Sequence, residues 1–178
     1  MPDQDNLSRR ELIQLTAAAA VAGATIPTSG LASEPALKFF SKDEFAMVDE
    51  LCELIIPADE HSPGARAAQV AAYIDGRLAE SFDDAAKRRW HEGLTRINSL
   101  SQEMHGQPLM HATPEQRMAL LARIAKNEEK PEAPEDHFFQ ELKGRTARAY
   151  YTSKIGIHQE MEYKGNVLLQ EFVGYEVK

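Results

Sequence analysis

The sequence predicts an all-α protein, a small bundle of about five helices followed by an irregular C-terminal extension. Three observations lead there. Apolar residues recur at three- and four-residue spacing in separate stretches, the period of one helix face. Two Ser/Thr-x-x-Glu/Gln boxes, with prolines and glycines at matching positions, mark where helices begin and end. No alternating run of β-branched residues is long enough to demand a sheet.

Ser41-Lys42-Asp43-Glu44 opens the first helix as a capping box, in which hydroxyl and carboxylate each satisfy an orphaned backbone N–H. Phe45, Val48, Leu51, Cys52 and Ile55 supply its apolar face, and Pro57 ends it by removing a donor. Residues 57–64 are turn chemistry. A second helix is expected over about residues 66–81, with Val70, Tyr73, Ile74 and Leu78 on one face. Asp83 or Asp84 caps a third, whose Trp90, Leu94, Ile97, Leu100 and Met104 form a stripe closed by Gly106. Thr113-Pro114-Glu115-Gln116 is the second capping box, with proline at the first helical position. The helix behind it carries Met118, Leu121 and Ile124. Residues 127–134 are polar and interrupted by two prolines, hence a loop. A fifth helix over about residues 135–152 presents Phe138, Phe139, Leu142, Ala149 and Tyr150. From Ser153 the period stops, and Gly156, Gly165 and Gly174 punctuate an aromatic tail.

The first 32 residues read differently. Ser8-Arg9-Arg10, then Leu12 and Ile13, precede a mildly apolar, alanine-rich segment and a small-x-small site, Gly30-Leu31-Ala32. That layout is an export signal with cleavage expected after Ala32. The paired arginines follow the twin-arginine pattern, with Leu12 where Phe is favoured and Gln14 where Lys is favoured. The alternative, an amphipathic helix kept with the domain, fits poorly because such small residues pack weakly. Three segments result: a signal over 1–32, a helical domain over 33–152 and a tail over 153–178. The twin-arginine route carries folded cargo, so either this chain binds a cofactor or it travels with a partner that does.

Composition narrows the remaining classes. The 178 residues hold 20 Lys+Arg against 28 Asp+Glu, a net charge of −8, and one cysteine. A lone cysteine makes neither an intrachain disulfide nor a cysteine-based metal site. An acidic chain without a basic stripe matches nucleic acid poorly. No apolar run reaches the ~18 residues of a membrane span. The sequence has no Gly-x-Gly-x-x-Gly, no P-loop, no Gly-x-Ser-x-Gly and no Cys-x-x-Cys-His. None of the six histidines has a carboxylate three residues before it, so the Glu-x-x-His pairs of di-metal bundles are absent.

The smaller candidates each have a plainer reading. Cys52 sits on an apolar face and reads as a buried structural thiol. Asp59-Glu60-His61 is a compact acid/base grouping, but with no third group beside it a solvated turn is the better reading. Lys87-Arg88-Arg89 reads as a solvated helix face, with contact to an acidic partner as the alternative. Arg145 and Arg148, one turn apart, suit carboxylates on a partner or on their own helix, with the latter as default. The tail region differs in concentrating aromatics and glycines without period. Tyr150, Tyr151, Tyr163, Gly165, Asn166 and Phe172 are therefore the candidates for partner contact, against the alternative of a tail folded onto its own bundle.

Four segments together carry a family likeness: the twin-arginine leader, Leu54-Ile55-Ile56-Pro57-Ala58-Asp59, Ala149-Tyr150-Tyr151-Thr152, and Glu162-Tyr163-Lys164-Gly165-Asn166. Over about residues 39–174 the chain resembles the gluconate 2-dehydrogenase subunit 3 family. The resemblance implies a non-catalytic small subunit with no cofactor or metal of its own. The large subunit of such complexes is a flavoprotein of the glucose-methanol-choline type, which holds FAD and oxidises a sugar, sugar acid or glycoside. Some complexes add a cytochrome c subunit carrying haem c. The small subunit supplies the export signal that the flavoprotein lacks and assists its maturation. Its expected partners are thus that flavoprotein, a cytochrome c subunit in some complexes, and the twin-arginine translocase. Its expected place is the periplasm or the outer face of the cytoplasmic membrane. Two rivals stand beside this reading: a free-standing periplasmic enzyme using Asp59, Glu60 and His61, and a binding module unrelated to redox chemistry.

Overall fold

Capping chemistry sets where the helices start. In the computed structural model, which describes residues 37–163 and Gly165, helix α1 (Lys42–Ile55) opens on Ser41. The Ser41 hydroxyl accepts the Glu44 N–H at 3.3 Å, and the Glu44 carboxylate accepts the Ser41 N–H at 3.0 Å. Helices α2 (Gly64–Ala67) and α3 (Val70–Ala79) follow, then α4 (Asp84–His105), capped by Asp83 and ended by Gly106 at φ +72°. A 3₁₀ turn (Leu109–His111) leads to α5 (Pro114–Ala125), which the Thr113–Gln116 box caps, and α6 (Pro134–Tyr151) completes the bundle. Among the described residues there is no strand, only an isolated bridge between Ala58 and Pro63. The all-α class holds, with α1, α3, α4, α5 and α6 as the five principal helices.

The second helix differs from expectation in two ways. It breaks at Gln69, which takes a left-handed φ of 55° and costs about 1–2 kcal/mol of backbone strain. The cause lies upstream. The Ala65 N–H is held by the Ile56 carbonyl at 2.9 Å and the Arg66 N–H by Glu53 at 2.7 Å, so α2 takes its direction from the end of α1. One left-handed residue then turns the chain so that Val70, Ala71, Ile74, Asp75 and Leu78 face inward. In that phase Ala71, not Tyr73, belongs to the core. The same happens on α5, where Leu120, Leu121 and Ile124 are buried and Met118 is exposed.

Asp75 is the unexpected member of the α3 stripe. Its buried carboxylate accepts the backbone N–H groups of Lys38, Phe39 and Phe40 at 2.8, 3.0 and 2.8 Å. A buried carboxylate needs such donors, and each charge-assisted bond is worth about 1.5–3 kcal/mol. The clamp delivers Phe40 to the core beside Trp90, 5.8 Å between ring centroids.

Trp90 is fully buried on α4, and its indole N–H donates to Glu141 of α6 at 2.8 Å. Phe138 meets it edge-on at 5.4 Å, a geometry worth about 0.5–1.5 kcal/mol beyond area burial. Gly93, one turn along α4, makes room for that ring: a Cβ there would run into Phe138. Helix α6 lies against α1, α3, α4 and α5, and α1 packs against each of the other helices, so these two form the middle of the bundle. Arg117 fastens the opposite side, donating to Glu50 of α1 at 2.8 Å and to the Leu109 and Met110 carbonyls at 3.2 and 2.8 Å.

The expected irregular tail begins later than Ser153. Residues 154–160 remain helical and end in a π-helical turn (Gly156–Glu160). Gly156 is the reason this turn fits, since any Cβ would strike the Tyr150 carbonyl. Ile155 packs against the core beside it. The tail thus rests on the bundle at Ile155 and Gly156, and beyond the π-helical turn Met161, Glu162 and Tyr163 are exposed, with the Tyr163 N–H held by the Ile157 carbonyl at 3.0 Å.

Two glycine substitutions separate these constraints. Gly93→Ala overpacks the Trp90–Phe138 contact and should cost about 1–3 kcal/mol, whereas Gly144→Ala on α6, where a Cβ meets nothing within 4 Å, should be neutral or stabilising. Thermal melts of the two variants check the order, and an unchanged Gly93→Ala midpoint would contradict the packing.

Candidate functional site

The loop between α1 and α2 contains the acid/base grouping, and its bonds show how those residues are used. The Asp59 carboxylate accepts the His61 and Ser62 backbone N–H groups at 2.8 and 2.7 Å, which hold its carboxyl below the usual range. Asp59 thus shapes the turn. Glu60 and His61 are exposed, and no side-chain bond joins the three residues. Glu53 supports the loop from the other side by accepting the Ala58 N–H at 3.2 Å. Gly64, at φ +84°, lets the chain pass against Glu53 and the Ala58 nitrogen, where a side chain would not fit.

This loop is anchored to α6. The Ser62 and Tyr150 hydroxyls are 2.6 Å apart, both buried, and Ser62 also accepts the Gly64 N–H at 3.2 Å. One turn earlier on α6, Thr146 meets Cys52 of α1 at 3.2 Å. Burial pushes the Cys52 thiol up to about 12, far from the range of a nucleophile. The likeness segment that ends at Asp59 is thus tied through Ser62, whose N–H Asp59 accepts, to Tyr150 of the segment Ala149-Tyr150-Tyr151-Thr152. Tyr150, placed among the partner-contact residues by its sequence neighbourhood, is corrected to a core residue: it is fully buried with its hydroxyl satisfied.

The other face of α6 is open. Between α3 and α6 runs a groove of about 500 Å³ lined by Tyr73, Arg77, Gln140, Gly144, Arg145 and Arg148, among others. Three of its eight lining residues are arginines and one, Glu141, is a carboxylate, on a chain of net charge −8. Arg145 pairs with Glu141 of its own helix at 3.1 Å and lies 5.7 Å from the Trp90 ring. Arg77 pairs with Glu80 at 3.1 Å. Among the described residues Arg148 makes no ion pair, so the default of pairing at home holds for Arg145 and not for Arg148. Tyr73 is 48% exposed at the groove, and Tyr151, three residues after Arg148, is 42% exposed. A second groove, of about 480 Å³, lies between α4 and α6 around Arg89, Arg96, His137 and Phe138. Glu141 lines both, and Arg89 of the Lys87-Arg88-Arg89 run reaches it at 3.7 Å.

Tyr163 is 48% exposed and Gly165 is exposed at φ +97°. Asn166 and Phe172 lie outside the described residues, as do Ser8, Arg9, Arg10, Leu12 and Ala32 of the export signal. Tyr73 and Arg77 were not singled out by sequence for contact. The signal that finds them is the phase of α3, once Ala71 and Asp75 rather than Tyr73 are placed on the inward face. Among the described residues, no cluster of three or more His, Cys, Asp or Glu side chains is arranged to hold a metal. No described helix is long and apolar enough to cross a membrane.

Residues 42–167 match the family model described as gluconate 2-dehydrogenase subunit 3, well over half of the chain, and the chain belongs to that family. No curated protein and no solved structure matches the chain. The family's description makes it a small subunit of a dehydrogenase complex rather than the chain that performs the chemistry.

The buried polar seam sets two expectations. Tyr150→Phe removes one buried hydrogen bond and should cost about 1 kcal/mol, whereas Ser62→Ala orphans the Tyr150 hydroxyl and the Gly64 N–H and should cost about 1–3 kcal/mol. Denaturant midpoints in which Ser62→Ala is the milder change would contradict this arrangement. Cys52 in the native protein should resist iodoacetamide at mildly alkaline pH and label readily once unfolded, which mass spectrometry follows; rapid native labelling would show the thiol to be accessible.

Proposed function

We propose that this member of the gluconate 2-dehydrogenase subunit 3 family is the non-catalytic small subunit and export escort of a flavin-dependent sugar dehydrogenase. Its large subunit, of the glucose-methanol-choline type, holds FAD and oxidises a sugar, sugar acid or glycoside. The observation that carries this reading is the family match over residues 42–167. The arrangement of the bundle supports it. Asp59 is engaged with backbone donors, Cys52 is buried and bonded to Thr146, and the accessible features are an arginine-lined groove and exposed tyrosines. Tyr and Arg are the residue types that dominate protein–protein hot spots.

The export half of the proposal rests on Ser8-Arg9-Arg10 and the segment that follows. The two halves support one another. A flavoprotein folds around FAD in the cytoplasm, where the cofactor is available, and then needs a route that accepts folded cargo. The small subunit folds beside it, binds it and lends it the twin-arginine signal. On this reading the complex works in the periplasm or on the outer face of the cytoplasmic membrane. A cytochrome c subunit with haem c is the natural third member, taking electrons from the reduced flavin.

The test is to capture the tagged full-length chain from its native cell and record the visible spectrum of what comes with it. A flavoprotein in near-equal amount is the expected result, and haem bands in the same fraction would identify the cytochrome. With Arg9 and Arg10 both changed to Lys, both proteins should stay in the cytoplasm. Flavoprotein reaching the envelope fully active under those conditions would sink the escort role. Turnover by the isolated chain, abolished in Asp59→Asn, would instead establish it as an enzyme.

A further inference from the structure

We propose, resting on the reading of this chain as a dehydrogenase small subunit, that the α3/α6 groove receives an acidic segment of the large subunit, one of whose carboxylates pairs with Arg148. The charges on the two helices select that occupant. Arg77, Arg145 and Arg148 line the groove, and the carboxylates beside them are Glu80 and Glu141. Glu80 is engaged by Arg77 at 3.1 Å. Glu141 is engaged by Arg145 at 3.1 Å and by the Trp90 indole N–H at 2.8 Å, with Arg89 3.7 Å away. Both carboxylates are therefore engaged, and among the described residues Arg148 is the arginine of the groove that makes no ion pair.

A guanidinium presents a planar fork that takes a carboxylate through two parallel N–H···O bonds, which a lone lysine does not reproduce. The surroundings suit a polypeptide rather than a small anion. Gly144 leaves the floor clear, with nothing within 4 Å of where a Cβ would stand. Tyr73 on one side and Tyr151, a turn beyond Arg148, offer exposed rings against which apolar parts of a segment can pack. On a chain of net charge −8, this local excess of arginine is a directional feature for an acidic partner.

The experiment uses the full chain and the flavoprotein subunit that accompanies it, mixed as purified proteins and titrated at low and moderate salt. Arg148→Glu should raise the dissociation constant about 30-fold, the scale of a lost hot-spot arginine, and flatten its salt dependence. Arg148→Ala should do the same more mildly, with a melting temperature like that of the parent chain. Arg123→Glu, the same charge change on the exposed face of α5 outside the groove, should bind within about twofold of the parent. If Arg148→Glu binds like the parent, or if both reversals weaken binding equally, the groove is not the docking site although the complex itself stands. If the parent chain shows no affinity for the flavoprotein, the subunit reading fails and takes the groove assignment with it. If Arg148→Glu instead dissolves a dimer of this chain, the occupant is a second copy and the proposal is overturned.

Discussion

A hydroxyl taken out of water has to find a partner, and on Tyr150 that requirement reaches a long way through the molecule. Its partner is Ser62, in the loop that links α1 to α2, 88 residues away in sequence. Once Ser62 is held at the end of α6, the turn around Asp59 must close and Gly64 must pass tightly over Glu53. That passage points α2 in a direction α3 cannot continue, and the chain bends at Gln69. The bend sets the phase of α3, which turns Asp75 inward and Tyr73 outward. The outer groove therefore takes its shape from the same loop, through the Ile56–Ala65 and Glu53–Arg66 bonds that direct α2 as well as the Ser62–Tyr150 contact.

Much of this was legible beforehand, and the reasons divide cleanly. Both capping boxes, the Asp83 cap and the Gly106 terminus are local devices, decided by residues within one turn, and their positions read straight from the sequence. The break at Gln69 depends on a bond between residues far apart in the chain, so no local rule announces it. An aromatic outweighs an alanine on any hydropathy count, so the sequence places Tyr73 on the inner face of α3, where the structure buries Ala71. Asp75 is acceptable inside because three backbone donors meet it. For Tyr150 the sequence offers both a place on the apolar face of its helix and an aromatic neighbourhood, and burial follows the helix phase. Of the export signal and the last residues of the tail, the sequence pattern remains the whole account.

The family likeness also takes on a physical meaning. Of the segments that carry it, residues 54–59 lead into the loop that Ser62 fastens to Tyr150, and residues 149–152 close the helix that receives it, so these two serve the scaffold and not a pocket. Among the described residues, Arg148 of the α3/α6 groove makes no ion pair, while Glu141 beside it is held by Arg145 and the Trp90 indole.

The Asp75 clamp has a mechanical side. Three backbone hydrogen bonds join Lys38, Phe39 and Phe40 to a carboxylate on α3, just before the first principal helix begins. Tension arriving along the chain from its N-terminal side meets that knot first, and is passed into the middle of the bundle instead of peeling α1 from its end. Threads sewn into a garment behave the same way when a reinforcing stitch is set a little back from the edge.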